Sequence, residues 1–192
     1  MADKAVPVAR KPRADAARNR ALLLDTAKRV FAAKGPEASL DEIARTAGVG
    51  IGTLYRHFPT RDALVEETYR FEAMQLAAAA VRLGAQMPPL GALRQWLFLF
   101  IDYFTTKKII VAALSPAGGT EALYAMSTTL LTDAVQRLVE RAVQNGDIRL
   151  DMAPMNILRA IGGLANFNPS GGWEQNARQL VDVLINGMKT PR

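Results

Sequence analysis

Apolar residues recur at helical spacing along most of the chain, and no long stretch alternates with period two. Over residues 21–35, ALLLDTAKRVFAAKG, the side chains of Leu23, Ala27, Val30 and Phe31 share one face, and Gly35-Pro36 stops the helix. Ser39-Leu40-Asp41-Glu42 has the Ser-x-x-Glu spacing of a capping box and opens a short helix with Ile43, Ala44 and Ala47 inward, ending at Gly48. A third short helix runs from Ile51 to about His57 and is closed by Pro59. Thr60 caps a longer fourth helix, with Asp62 favoured in its first turn, and this helix reaches about Gly84 before Pro88-Pro89. Further helical patterns cover roughly 90–106, 108–114, 119–145, 153–167 and 173–188, with Gly146 as a stop and Asp151 as the next N-cap. The expectation is an all-α protein of about nine helices with no sheet.

Composition narrows the chemistry. Among 192 residues there is no cysteine and one histidine, His57, which excludes disulfides, zinc–thiolate sites, cysteine nucleophiles and a multi-histidine metal site within one chain. No residues pair a nucleophile with an orienting base, and no cofactor is expected. The longest charge-free run, residues 160–173, is broken by glycine and proline and is shorter than the ~18 apolar residues a membrane span needs. The first twenty residues carry charge where a signal peptide needs an apolar core, so the expected location is cytoplasmic, with no membrane partner. The net charge is +6, and Lys4, Arg10, Lys11, Arg13, Arg18 and Arg20 against Asp3 and Asp15 give the first twenty residues +4. Such an arm, placed at residues 1–15, is either a solvated disordered tail or a reach toward phosphates.

Two short helices joined through Ala47-Gly48-Val49-Gly50 describe a helix-turn-helix. In the second of them Ile51, Leu54 and Phe58 lie three and four apart and form an inward face. Thr53, Arg56 and His57 are left outward, with Tyr55 at the flank and Gly52 where a backbone can approach a partner closely. A hydroxyl, a guanidinium and an imidazole on one face suit a DNA groove, and they suit a solvated helix too. For His57 the alternatives are a phosphate contact and a hydrogen bond that holds the helix end. Arg56 either reads guanine or stays in water.

The string SLDEIARTAGVGIGTLYRHFPTRDALVEETY, preceded by a helix ending VFAAKG, resembles the N-terminal DNA-binding region of TetR-family transcriptional regulators. The matching features are ordered over residues 22–65, while residues beyond them resemble the family in helical content, length and the break NGDIRLD at 145–151. The resemblance implies that Tyr55, His57 and Arg61 touch the DNA backbone, that Thr53 meets phosphate or a thymine methyl, and that Ile51 and Gly52 face bases. Free N–H groups near Ser39 and Gly50 add phosphate contacts. Two departures stand out. Gly50 replaces a Ser or Thr cap, and Asp41 puts a negative charge where relatives use a basic or neutral DNA contact. The helix-turn-helix domain is placed at residues 16–59 and a ligand-binding and dimerisation domain at 60–192.

In that larger half, WLFLFIDYF is apolar nearly all round, which marks a buried helix. A solid core is one reading. The resemblance implies instead a small-molecule cavity, with Trp96, Phe100, Tyr103, Phe104, Met126 and Phe167 as walls. Asp102, Thr128, Thr129, Asp133 and Asn166 are then the candidate polar groups, and the two acids, if inside, favour a cation. Asp102 has an alternative as a surface residue opposite the core. A dimer is expected through Ile157, Ile161, Leu164 and Asn168 on one helix and Ala177, Leu180, Val181, Leu184, Ile185 and Met188 on the next, with burial inside the chain as the alternative. The resemblance therefore implies a homodimeric repressor that leaves a palindromic double-stranded operator when a small molecule binds. The alternatives are a ligand-independent DNA-binding regulator with a solid core and a helical enzyme or lipid-binding protein.

Overall fold

The computed structural model describes residues 12–115, 120–167 and 172–190. Among them the chain forms eight helices: α1 (Pro12–Lys34), α2 (Leu40–Thr46), α3 (Ile51–His57), α4 (Arg61–Gln86), α5 (Pro89–Ala112), α6 (Thr120–Gln144), α7 (Met155–Phe167) and α8 (Trp173–Met188). The patterns at 90–106 and 108–114 are one continuous helix, α5, because Lys107 does not interrupt the backbone ladder. α1 starts inside the stretch assigned to the arm, and residues 1–11 lie outside the described residues. Asp151 does not cap α7, which starts at Met155 after Pro154; Asp151 instead pairs with Arg149 at 3.5 Å.

Two hydrophobic clusters organise the molecule. The first joins α1–α3 to α4: Leu23, Leu24, Ala27, Phe31, Ile43, Leu54, Phe58, Leu64, Val65 and Tyr69 are all buried there. It also takes in Ile110, Ala113 and Leu123, from the end of α5 and the start of α6, so the small head rests on the larger body. The second cluster fills the body, from Ala73 and Leu76 through Trp96, Leu97 and Ile101 to Val135, Ile161, Val181 and Ile185. Each buried Leu, Ile or Phe contributes about 1.5–3 kcal/mol. α4 supplies residues to both clusters.

Polar contacts reinforce the α1–α4 junction. Arg20 pairs with Glu67, and Lys28 meets the nearly buried Glu72 at 2.5 Å. Burial works to raise the Glu67 carboxyl pKa, but hydrogen bonds and charge from Arg20 and Arg70 outweigh it and hold the group below its ordinary value. That contact is present at neutral pH and is lost as pH falls through the lowered pKa. At the other end, Asp62 accepts from the Ser115 backbone N–H at 3.2 Å and from its hydroxyl at 2.6 Å, tying the start of α4 to the end of α5.

The expected dimer face turns out to be shared between core and surface. Ile157, Ile161, Ala177, Val181, Ile185 and Met188 are buried within their own chain, where α5, α7 and α8 pack together. Leu164, Leu180 and Leu184 are half-buried, and Asn168 lies outside the described residues. The stripe that faces away is one register round: Ala160, Gly163 and Leu164 on α7, and Leu180, Val183, Leu184 and Gly187 on α8, with Val183 66% exposed. An apolar pattern of period 3.6 cannot say which half of a broad stripe meets the chain's own core.

Candidate nucleic-acid interface and ligand cavity

Ser39 caps α2 by accepting from the Glu42 backbone N–H at 3.2 Å. The Glu42 carboxylate turns to Lys34 rather than back to Ser39, so only half of the capping box forms. In the turn, Gly48 has φ +69, a left-handed backbone that favours glycine, and the Val49 N–H reaches the Ala44 carbonyl at 3.0 Å. Gly50 then caps α3 without a side chain, and the N–H groups of Thr53 and Leu54 close on its carbonyl at 2.8 and 3.3 Å.

Within α3, Leu54 and the following Phe58 are the buried anchors. Ile51 does not join them: it is 36% exposed, because it stands in the first turn beyond the edge of the packing surface. Gly52, Tyr55 and Arg56 are exposed, while Thr53 and His57 are half-exposed. The α3 surface that the sequence marks out is therefore presented by a rigid, anchored helix. Arg56 lies along its own helix, donating to the Gly52 carbonyl at 3.2 Å. The His57 ring lies 6.2 Å from the Phe58 ring, centroid to centroid, and takes no part in an ion pair among the described residues.

Arg61, for which the resemblance implies a DNA-backbone contact, is engaged within the head. Its guanidinium donates to the Ala38 carbonyl at 2.7 Å and to the Pro36 carbonyl, and it lies over the Phe31 ring at 5.5 Å. It clamps the α1–α2 loop, a loop ending at Ser39. Arg61→Ala is expected to destabilise the head by about 1.5–3 kcal/mol, the worth of a charge-assisted hydrogen bond, measured by chemical denaturation without DNA. Arg20 is likewise committed, to Glu67 and over Phe58 at 5.2 Å, and Arg18 pairs with Asp15. Conversely, Arg45 was missed by the sequence reading. Its side chain is 80% exposed, with one long 3.9 Å pairing to Glu42.

In the body, a cavity of about 310 Å³ opens between α5, α6 and α7. Phe100, Tyr103, Phe104 and Asn166 line it as expected, together with Thr128. Trp96 does not: it is fully buried between α4 and α5, donating its indole N–H to the Leu76 carbonyl at 2.8 Å. Met126 and Thr129 also stand outside this lining, Thr129 being exposed with its hydroxyl on the Ala125 carbonyl. The Phe167 side chain lies outside the described residues. Asp102 is on the surface, paired with Arg178 at 2.5 Å between α5 and α8. Asp133 is exposed and borders a separate groove of about 470 Å³ between α4 and α6, next to Arg137 and Arg141. The larger groove has four alanines among its eleven lining residues and no aromatic side chain, whereas the smaller cavity is lined by Phe100, Tyr103 and Phe104 with polar groups converging on it.

Lys107, Ser127 and Arg159, which helical spacing alone does not single out, also belong to that lining. Placing a helix break beside Lys107 hid its membership of α5. Gly162 permits the close approach of α7 to α5, since a Cβ there would sit 3.0 Å from the Phe104 ring. No helix among the described residues is long and apolar enough to cross a membrane, and none of their His, Asp or Glu residues group as a metal site.

An anchored recognition helix on a helix-turn-helix head, carried by a larger helical body, defines a DNA-binding regulator by its architecture. Comparison with known proteins agrees. Residues 23–68 match the model for the N-terminal domain of bacterial regulatory proteins of the TetR family, and residues 88–190 match that of the SbtR-like transcriptional regulator C-terminal domain. The TetR transcriptional regulator SCO0520 from Streptomyces coelicolor superposes with a TM-score of 0.80 at 37% identity, covering 90% of this chain and 99% of that one. The chain is 27% identical over 181 residues to the HTH-type transcriptional repressor Rv1474c of Mycobacterium tuberculosis, 90% of this chain and 94% of that protein. It is 32% identical over 104 residues to the HTH-type transcriptional regulator AcrR of Shigella flexneri, 53% of this chain, and the match spans 48% of AcrR. The chain belongs to the TetR family of DNA-binding transcriptional regulators.

Proposed function

We propose that this protein is a homodimeric repressor that binds a near-palindromic operator through α3 and is released by a small molecule held between α5, α6 and α7. The observation that carries the reading is the anchoring of α3 on Leu54 and Phe58 with Gly52, Tyr55 and Arg56 turned outward. A rigid helix can place such side chains in a major groove without an ordering cost. Ile51 and Gly52 face bases, Thr53, Tyr55 and His57 contact the backbone, and the α2 N-terminus beside Ser39 adds phosphate contacts. The outward stripe through Gly163, Leu164, Leu180, Val183 and Leu184 supplies the dimer face, packing against its symmetry mate as a four-helix bundle.

Release follows from the way α4 is held. Its start is tied to the end of α5 by Asp62 and Ser115, and its middle to α6 by the Tyr69–Ser127 hydrogen bond of 2.7 Å. A ligand that binds better when α5 and α6 are displaced therefore shifts α4 and the spacing of the two heads, by no more than its differential affinity for the two states. Two chains per duplex are expected by sedimentation, and Val183→Glu should yield one. A wild-type complex with one chain per duplex contradicts the dimer. Tyr55→Ala should weaken all duplexes by a similar factor, about 5- to 10-fold, the worth of one hydrogen bond. Changes at Ile51 or Gly52 should alter which sequence is preferred. A uniform loss from Gly52→Ala contradicts the base-facing assignment.

A further inference from the structure

The cavity between α5, α6 and α7 carries a charge pattern that identifies its ligand more closely; the argument rests on this cavity being the ligand site. Its lining contains two cations, Lys107 and Arg159, and no Asp or Glu. Neither cation forms an ion pair with a carboxylate among the described residues. Arg159 donates to the neutral Asn156 side chain at 3.1 Å. Lys107 lies over three rings, with its Nζ 4.7 Å from the Tyr124 centroid, 5.6 Å from Phe104 and 5.9 Å from Tyr69. The aromatic faces hold the ammonium in place and lower its cost of leaving water, yet they supply no negative charge to neutralise it.

A third group points the same way. The Tyr103 hydroxyl is buried, Tyr103 being only 5% exposed, and it has no hydrogen-bond partner among the described residues. Nearby, the Tyr69 and Ser127 hydroxyls satisfy each other. An unpaired buried hydroxyl is destabilising in the absence of a ligand, and so is a natural place for a ligand acceptor. Burial and the neighbouring Tyr69 phenol push the Tyr103 pKa far up, so the group stays a neutral donor. Around these polar groups the walls are Phe100, Phe104, Leu131, Met155 and Leu158.

We propose that the ligand is a small organic anion with an apolar body, a carboxylate in the simplest case, whose head is held by Lys107 and Tyr103 with Arg159 at the rim. The body lies against Phe100, Leu131 and Leu158. The acidic residues that would have favoured a cation, Asp102 and Asp133, are both outside this cavity. Because Lys107 rests on Tyr69 of α4, drawing its ammonium toward an anion also alters the packing of the helix that carries the head.

The test is calorimetric titration of the full chain, without DNA, using octanoate, octanol and octylammonium, which share a body and differ in head charge. Phenylacetate and 2-naphthoate extend the carboxylates, separating acyl chains from aromatic acids as the source of the apolar body. Binding of at least one carboxylate is expected, with octanol and octylammonium weaker by about tenfold or more. Lys107→Met should weaken that carboxylate about tenfold. Tyr103→Phe should do so while melting no lower than wild type, a combination that a merely structural tyrosine does not give. The exposed Arg159→Gln, which leaves the core intact, should weaken it by a smaller factor.

Octylammonium or octanol binding as tightly as octanoate overturns the proposal. So does the failure of every carboxylate to bind, or unchanged carboxylate affinity in both Lys107→Met and Tyr103→Phe. Since no DNA is present, a protein that selects an operator but binds no carboxylate contradicts this assignment alone. A protein that binds octanoate but selects no DNA contradicts the operator reading instead.

Discussion

Phe58→Ala is expected to unfold the reading head while leaving the body folded. Phe58 is 1% exposed, closes α3 with its N–H on the Leu54 carbonyl at 2.8 Å, and carries the Arg20 guanidinium on its ring. Emptying such a site removes the transfer free energy and leaves a cavity, together about 3–5 kcal/mol. The loss falls on a short assembly, since α2 and α3 have seven residues each and are held by packing rather than by their own helical propensity. Denaturation followed by circular dichroism should show an early transition for a minor part of the signal, then the main one. DNA affinity should drop to background. A variant that keeps one transition near the wild-type midpoint contradicts the view of Phe58 as the anchor of α3.

The second large effect is on salt. Recognition by two heads, each making several phosphate contacts, releases a matching number of counterions, and a protein with six to ten contacts loses about 10³-fold or more between 50 and 200 mM salt. Arg45, Thr53, Tyr55, Arg56, His57 and the backbone N–H groups beside Ser39 and Gly50 are the groups available on the described surface, whereas Arg18, Arg20 and Arg61 have partners within the chain. Asp41 near the start of α2 works against phosphate and trims the slope. Equilibrium titrations of a labelled operator duplex over that salt range measure it. A slope corresponding to one or two contacts would contradict the backbone-contact assignment for the pair of heads.

The helices themselves were readable because their ends are written in local chemistry. Ser39, Gly48, Thr60 and Pro88-Pro89 mark boundaries by capping, left-handed backbone and missing N–H groups, and these act within a few residues. The outward face of α3 was readable too, apart from Ile51, which shares the spacing of the buried residues but stands beyond the packing surface. What spacing does not encode is the partner across the gap. Arg61 has the composition of a phosphate contact, and only the tertiary fold brings the Pro36 and Ala38 carbonyls to it. Trp96 reads like a cavity wall, yet the Leu76 carbonyl of a neighbouring helix claims its N–H. Asp102 could be inside or outside until Arg178, far along the chain, is seen beside it.

The same limit explains the cavity and the dimer face. Lys107 and Arg159 come from helices well separated in sequence, and their shared cavity, whose lining holds no carboxylate, exists only after folding. On α8 an apolar residue can meet either the chain's own core or a second copy, and packing decides that Val181 is inside and Val183 outside.

The central claim, that α3 reads DNA as part of a dimer, is tested most directly by selecting bound sequences from a random duplex pool with the purified full chain at near-physiological salt. Enrichment of a palindrome is predicted, with its half-site centres ~34–36 Å apart or a multiple of that, as paired recognition helices require. Folded, ligand-free protein that enriches no sequence, or only an isolated single half-site, would contradict it.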